Sequence, residues 1–448
     1  MLKINKNTLK TTLNMAIPSM IESFFVAFAG LVDALMVSSL GPSAVAAVGL
    51  TSQPKFVGLS VFMAISVSVS ALVARRFGEK RRDAANSVFL TSFTLVILLA
   101  AVISVIFLVF APTIIKWCGA TPDTQDMAVD YLRIIMGGMI FNCIQIGINS
   151  AQRGAGNTKI TMRTNTTSNI VNIIFNYLLI GGKFGFPALG IKGAALATVL
   201  GTVVSSVMSI VSIAKKDCFI SIPYIIKEKI KPTFVSLKNI VRVGYSVFAE
   251  QLLMRVGFVL TAVMAANQGT YAMAAHQVCI NIMSLSFAFG DGLQTAAVAL
   301  IGRSLGERNP DKAREYGSAC QSIGAVISVV LAGLYFAGAK WTMNLFFKEA
   351  EIVQIGVTIL YIIIVAILFQ IRQVVYMGCL RGAGDTLYTA IVSTISISVV
   401  RTVAGYFFCY IMKLGIFGIW MGIFVDQLVR FTCSFIRFKK GKWVNIRI

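Results

Sequence analysis

The sequence predicts an all-α membrane protein with twelve transmembrane helices in two pseudo-symmetric six-helix bundles. Three observations predict it. Long uncharged apolar runs recur along the chain, basic residues gather in alternate loops, and the second half repeats the first at a fixed offset.

The apolar runs come first. Hydrophobic residues make up 57% of the 448 positions and charged residues only 13%, with a mean hydropathy of +0.81. Soluble chains are about half apolar and about a quarter charged. Residues 89–111 carry no charge at all, and about 20 apolar residues cross the hydrocarbon core as a helix. Backbone groups in lipid must be satisfied internally, which selects helices over open sheet, and a β-barrel would show short alternating segments instead. The run from Ala16 to Leu40 is too long for the apolar part of a signal peptide and is read as the first span. Eight scattered cysteines lack metal-ligand or disulfide spacing, so no structural metal and no cofactor beyond a transported ion is expected. Spans are placed at 14–38, 51–75, 86–111, 127–150, 164–182, 193–214, 236–266, 272–302, 317–338, 353–380, 387–412 and 418–436.

The loops then set orientation. Arg75, Arg76, Lys80, Arg81 and Arg82 fall in one loop, Arg153, Lys159 and Arg163 in another, and Lys215, Lys216, Lys227, Lys229 and Lys231 in a third. Arg303, Arg308, Lys312 and Arg314 continue the set, and the termini join it with Lys3, Lys6, Lys10, Arg437, Lys439, Lys440 and Lys442. Alternate loops are poor in both residues. Basic loops stay on the cytoplasmic side, so both termini are expected there, in the plasma (inner) membrane. The net charge of +22 is thereby read as a topology signal and anionic-lipid contact, not as a nucleic-acid footprint.

A shift of 228 residues lays ARRFGEKRRDAA (74–85) over GRSLGERNPDKA (302–313) and QRGAGNT (152–158) over LRGAGDT (380–386). It also pairs Glu22 with Glu250 and Gly41 with Gly269, and near the end a shift of 225 pairs ALGIKG (188–193) with KLGIFG (413–418). A constant offset across separated motifs marks an internal repeat. Six spans per half return the chain to one side, giving parallel repeats with substrate sites between them. The expected domains are an N-terminal lobe (1–214), a basic cytoplasmic connector (215–235) and a C-terminal lobe (236–448).

Ionisable residues within spans are costly and mark function by default. Span 1 holds Glu22 and Asp33, eleven residues apart and so on one helix face. Span 5 carries Asn165, Asn169, Asn172 and Asn176, a polar stripe at helical spacing. A carboxylate facing amides suits a proton or a hard cation such as Na⁺; the alternative is hydrogen bonding that joins helices. The second half holds Glu250, Gln251 and Arg255, Asp291, Gln370, Arg372 and Gln373, and Arg401. Glu250 and Arg255 point to different faces of one helix, so partners for Glu250 are expected on other helices, at Arg372 or Arg401. Asp426 and Arg430, at i and i+4, read as a structural pair near the cytoplasmic end of span 12. His276, the single histidine, borders an outer loop, and Pro18 is a candidate bend in span 1.

At these motifs, in this order and along nearly the whole chain, the sequence resembles the multidrug and toxic compound extrusion (MATE) transporters, of the bacterial NorM/DinF-like kind. The resemblance implies two six-helix lobes of the MOP superfamily around a central cavity. It implies export of small amphiphilic, often cationic, drugs or metabolites in exchange for H⁺ or Na⁺, by a chain expected to be monomeric. The family's amino-lobe ion site falls on Asp33, Asn172 and Asn176, with Thr198 as a fourth contributor. Its carboxy-lobe site keeps Glu250 but meets Gln370 where an Asp is expected, which leaves Asp33 as the coupling group. Glu22, Glu250, Gln251, Arg255, Gln370, Arg372 and Arg401 are the expected cavity residues. A lipid-linked saccharide flippase is the rival reading, carried by the arginines of the second half. No nucleophile–base pair or phosphate loop suggests an enzyme.

Overall fold

The computed structural model describes residues 5–120, 122–215 and 218–446; Lys3 and Lys216 of the basic loops lie outside them. Among the described residues every regular element is helical. The first half contains α1 (Lys6–Ser38), α2 (Pro42–Gly78), α3 (Arg82–Trp117), α4 (Pro122–Gly137), α5 (Met139–Gly154), α6 (Thr158–Gly181) and α7 (Gly190–Ile213). A short α8 (Ile222–Lys227) lies in the connector. The second half contains α9 (Phe234–Ala266), α10 (Thr270–Gly306), α11 (Pro310–Phe346), α12 (Ala350–Ala383), α13 (Thr386–Thr394), α14 (Arg401–Tyr406) and α15 (Ile416–Lys440).

Ten described helical stretches are long and apolar enough to cross a membrane, α13 and α14 counting as one continuous stretch. The pair α4 and α5, bent by 43° at its break, forms an eleventh crossing. The 24-residue α6 equals the membrane-crossing α7 in length, but its asparagines lower its hydropathy, so the total accords with twelve. The span expected at 127–150 is this bent pair. Its break falls at Gly137 and Gly138, and paired glycines are a common cause of sharp helix bends.

The outside of these helices is apolar, as lipid requires. On α3, Leu98, Val102, Val105 and Val109 are all more than half exposed, while Ala100, Ser104 and Ala111 on the other face are buried. Small residues face inward and large ones outward, the arrangement that lets helices approach closely in a bilayer. The chain is a multi-pass membrane protein.

The repeat is written in the backbone. α2 and α10 are both 37 residues long and start 228 positions apart. Gly41 and Gly269, which precede them, have φ of 100° and 97°, and Lys80 and Arg308, which follow them, have φ of 57° and 54°. The later offset of 225 places Gly190 (φ 53°) over Gly415 (φ 56°). Two halves that need the same rare conformations at matched positions share one fold.

By internal contacts the chain forms two compact units. The first spans Phe24–Gly244; the second comprises the residues before Phe24 and those from Tyr245 onward. Within the first, α6 lies along α7, and α2 packs on α3, α4 and α5; within the second, α12 packs against α10, α11 and α15. The connector belongs to the first unit, tied down by hydrogen bonds between its backbone and side chains of α3. Arg82 Nε donates to the Phe219 carbonyl at 3.1 Å, Asn86 Nδ2 donates to the same oxygen at 2.9 Å, and the Ser221 N–H donates to Asn86 Oδ1 at 3.1 Å.

Candidate functional site

In the first unit, helical spacing sets a chain of polar side chains across three helices. Asn172 and Asn176 are one turn apart on α6, so both amides face the same side. Asn176 Nδ2 donates to Asp33 Oδ1 of α1 at 2.6 Å and shares its second proton with Asn172 Oδ1 at 3.4 Å. Asn172 Nδ2 in turn donates to Thr198 Oγ1 of α7 at 3.1 Å. Asn176 is fully buried, and its Oδ1 has no partner. The four residues expected to form the amino-lobe ion site are therefore brought together. A carboxylate held by a short, charge-assisted bond inside an apolar bundle is a strong and directional contact.

Two further side chains, absent from the sequence reading, belong to this neighbourhood. Lys55 of α2 and Asp33 lie close enough to interact electrostatically, and Tyr131 of α4, 2% exposed, also feels the Asp33 charge. Lys55 lines a cavity of about 100 Å³ together with Thr198, Asn142, Thr202 and Met136. The signal that could have found it was present: a lysine immediately after Pro54, inside a helix that begins at Pro42. A larger hollow of about 560 Å³, lined by Ala46, Leu50, Gln53 and Cys118, carries no charged side chain.

From the site, polar contacts continue along α5, α6 and α7. Gln145 bonds both Asn165 and Ser205. Asn149 donates to Thr164 at 3.0 Å and accepts from Ser209 at 3.1 Å, and Gln152 reaches Ser212 at 3.5 Å. The upper half of the asparagine stripe is thus helix-joining, as the alternative reading held, whereas its lower half meets Asp33. Asn169 lies between, with a buried Nδ2 that has no partner.

The second unit arranges its charges differently from expectation. Glu250, 1% exposed, pairs with Arg381 of α12 at 2.7 Å, and not with Arg372 or Arg401. Arg401 is instead taken by Asp426: Arg401 Nε donates to Asp426 Oδ2 at 3.1 Å, and Arg430 Nε donates to Oδ1 at 3.0 Å. The expected Asp426–Arg430 pair is present, Arg401 extends it to a triad, and its place is corrected from the end of the span to mid-way along α15. π-helical turns, Ile395–Val400 and Phe407–Ile411, flank Arg401 on either side; such wide turns re-aim side chains. Gln370 is buried with an unpartnered Oε1. Arg372 lies over the Phe431 ring at 5.0 Å and Arg255 near the Phe258 ring at 5.9 Å. Gln251 is half-buried beside Glu250 in sequence. His276, expected at a loop border, is 4% exposed and packs edge-on to Trp420. Glu22 is buried in α1, and Asp291 accepts from Ser23 at 3.4 Å.

Together these features define a polytopic α-helical membrane protein with a twofold repeat and, in its first unit, a half-buried carboxylate bonded to a buried amide. A family model described as MatE matches residues 18–178 and again 247–407, one copy in each half, and the chain belongs to that family of membrane transporters. It is 29% identical over 440 residues to the "Probable multidrug resistance protein NorM" of Thermotoga maritima, covering 97% of this chain and 93% of the relative. It is 25% identical to the protein of the same description from Pasteurella multocida, over 96% and 94% of the two chains. Among solved structures, an outward-facing multidrug resistance MATE transporter of the MOP superfamily superposes with a TM-score of 0.90 at 24% identity, over 97% of both chains. That likeness shows the fold.

Proposed function

We propose that the chain is a secondary active efflux transporter of the plasma membrane, with cytoplasmic termini, exporting small amphiphilic, often cationic, drugs or metabolites in exchange for H⁺ or Na⁺. Asp33 is the coupling group. The observation that carries this reading is the 2.6 Å contact between Asp33 and the fully buried Asn176. An ionisable carboxylate in that setting is costly to the fold and is retained for function. Gain or loss of a cation there changes the net charge of the site, and an ion shifts a conformational balance only through differential affinity for the two states. Alternating access driven by Asp33 follows. The multidrug names of the relatives support the substrate class.

The test is uptake of a fluorescent organic cation into inverted vesicles under an imposed ΔpH or ΔpNa. Wild type accumulates the dye and Asp33→Asn does not; equal accumulation by both removes Asp33 from coupling.

Export of lipid-linked saccharides is a second reading, and one observation favours it: two buried arginines share the single carboxylate of Asp426, which leaves surplus positive charge for a phosphate. Both guanidiniums are spent on that carboxylate, which places this reading second. Accumulation of cell-envelope precursors on depletion of the protein would promote it.

A further inference from the structure

We propose that Lys55 is the resident counter-cation of the Asp33 carboxylate and that its charge keeps Na⁺ out of the first unit's site. The inference rests on the reading of Asp33 as the coupling group and goes beyond it by naming the residue that selects the ion.

Two independent observations carry it. The first is position. Lys55 and Thr198 line one small cavity, and Thr198 ends the hydrogen-bonded chain that runs through Asn172 and Asn176 to Asp33. The cavity has room for about three waters, enough to solvate an ammonium group, and no salt bridge joins Lys55 directly to Asp33 among the described residues. The second is the sense of the hydrogen bonds. A Na⁺ site needs converging oxygens. Here Asn176 and Asn172 turn their Nδ2 donors toward Asp33 and Thr198. Asp33 receives an N–H from Asn176 and the field of the Lys55 ammonium, and the two together compensate its charge.

The charged and titratable groups around Asp33 come from each packed helix: Lys55 from α2 and Tyr131 from α4, with neutral amides from α6 and a hydroxyl from α7. A Na⁺ entering this space meets an ammonium ion in low dielectric, where like charges repel far more strongly than in water. A cation withdrawn from water is tolerated only with compensation, and Asp33 supplies it for the half-buried Lys55. Of the two coupling ions, this leaves the proton.

Na⁺ binding to the purified full-length protein tests the proposal without requiring transport. Melting temperatures are compared in NaCl, KCl and choline chloride at equal ionic strength. Wild type and Lys55→Arg should show no Na⁺-specific change. Lys55→Met should melt about 2 °C or more higher in Na⁺ than in K⁺, and Lys55→Met/Asp33→Asn should lose that gain. Lys55→Gln serves if the methionine variant does not fold. Na⁺-specific stabilisation of wild type equal to that of Lys55→Met overturns the proposal, as does its absence from both uncharged variants. Failure of the coupling reading is seen separately, as unchanged dye uptake by Asp33→Asn.

Discussion

Arg381 holds Glu250 in a closed ion pair: its Nη2 lies 2.7 Å from one carboxylate oxygen and 2.8 Å from the other. The two residues come from helices α9 and α12, and both side chains are nearly withdrawn from solvent. Removing one partner leaves the other charge buried and uncompensated, which costs about 3–5 kcal/mol, whereas removing both is far milder. Glu250→Gln and Arg381→Met should each lower the thermal stability of the purified protein sharply, and the double variant should recover most of the loss. Additive losses in that cycle would show that the pair does not interact.

Asn176 is the donor on which the first unit's carboxylate depends. A hydrogen bond to a charged group contributes about 1.5–3 kcal/mol, which is about tenfold or more in an equilibrium. Asn176→Ala should therefore reduce ion-driven dye uptake by about tenfold or more at unchanged protein level. Thr198→Val, one step further along the chain of bonds, should have a smaller effect. A larger defect in the threonine variant than in Asn176→Ala would reverse the order of importance argued from the distances.

Much of this architecture could be read from residue order, and the exceptions have physical causes. The repeat was legible because its motifs sit at helix ends, where Gly41, Lys80 and their counterparts need backbone conformations that few residues adopt. Asn172 and Asn176 were legible because amides at helical spacing in an apolar run stand out as a polar stripe on one helix face. Lys55 was not, because it falls near the start of the span expected at 51–75, where a lysine ordinarily extends its long stem to the surface; α2 in fact begins at Pro42, and the cavity beside Thr198 receives the side chain. Arg381 was masked by lying in the LRGAGDT motif, which reads as a loop although α12 continues to Ala383. Partner choice among several buried arginines depends on the rotation of three helices at once, which no spacing rule fixes.

Outside the spans, Glu307 offers a pH-dependent contact. Partial burial raises its carboxyl pKa, but hydrogen bonds from Lys312 at 2.8 Å and Arg303 at 2.9 Å outweigh burial and hold it below its ordinary value of 4.5. A depressed folded-state value stabilises the fold above the unfolded one, and that contribution is lost as pH falls through the folded value. Wild type should be more stable than Glu307→Gln at neutral pH, with the difference shrinking as pH falls below 4.5 and gone below the depressed folded value. Because the group is solvent-accessible, the effect is small and shrinks with added salt. A difference that grows on acidification would contradict the sign.

Gly257 allows α9 to approach the π-helical turn beside Arg401. A β-carbon built there would overlap the Ile397 carbonyl oxygen and lie 2.7 Å from its carbon, both backbone atoms that cannot rotate away. Gly333 of α11 is the matched control, since a β-carbon there meets nothing within 4 Å. Gly257→Ala should cost about 1–3 kcal/mol through forced helix separation, whereas Gly333→Ala should be neutral or gain up to about 1 kcal/mol from helix propensity. The strain falls where the wide turn presents Arg401 to Asp426, so the damage should extend to that contact. Melting temperatures of Gly257→Ala and of Gly257→Ala combined with Arg401→Met separate the two effects. Sub-additive losses place both residues in one packed unit, and simple addition would mean that the glycine acts on helix spacing alone.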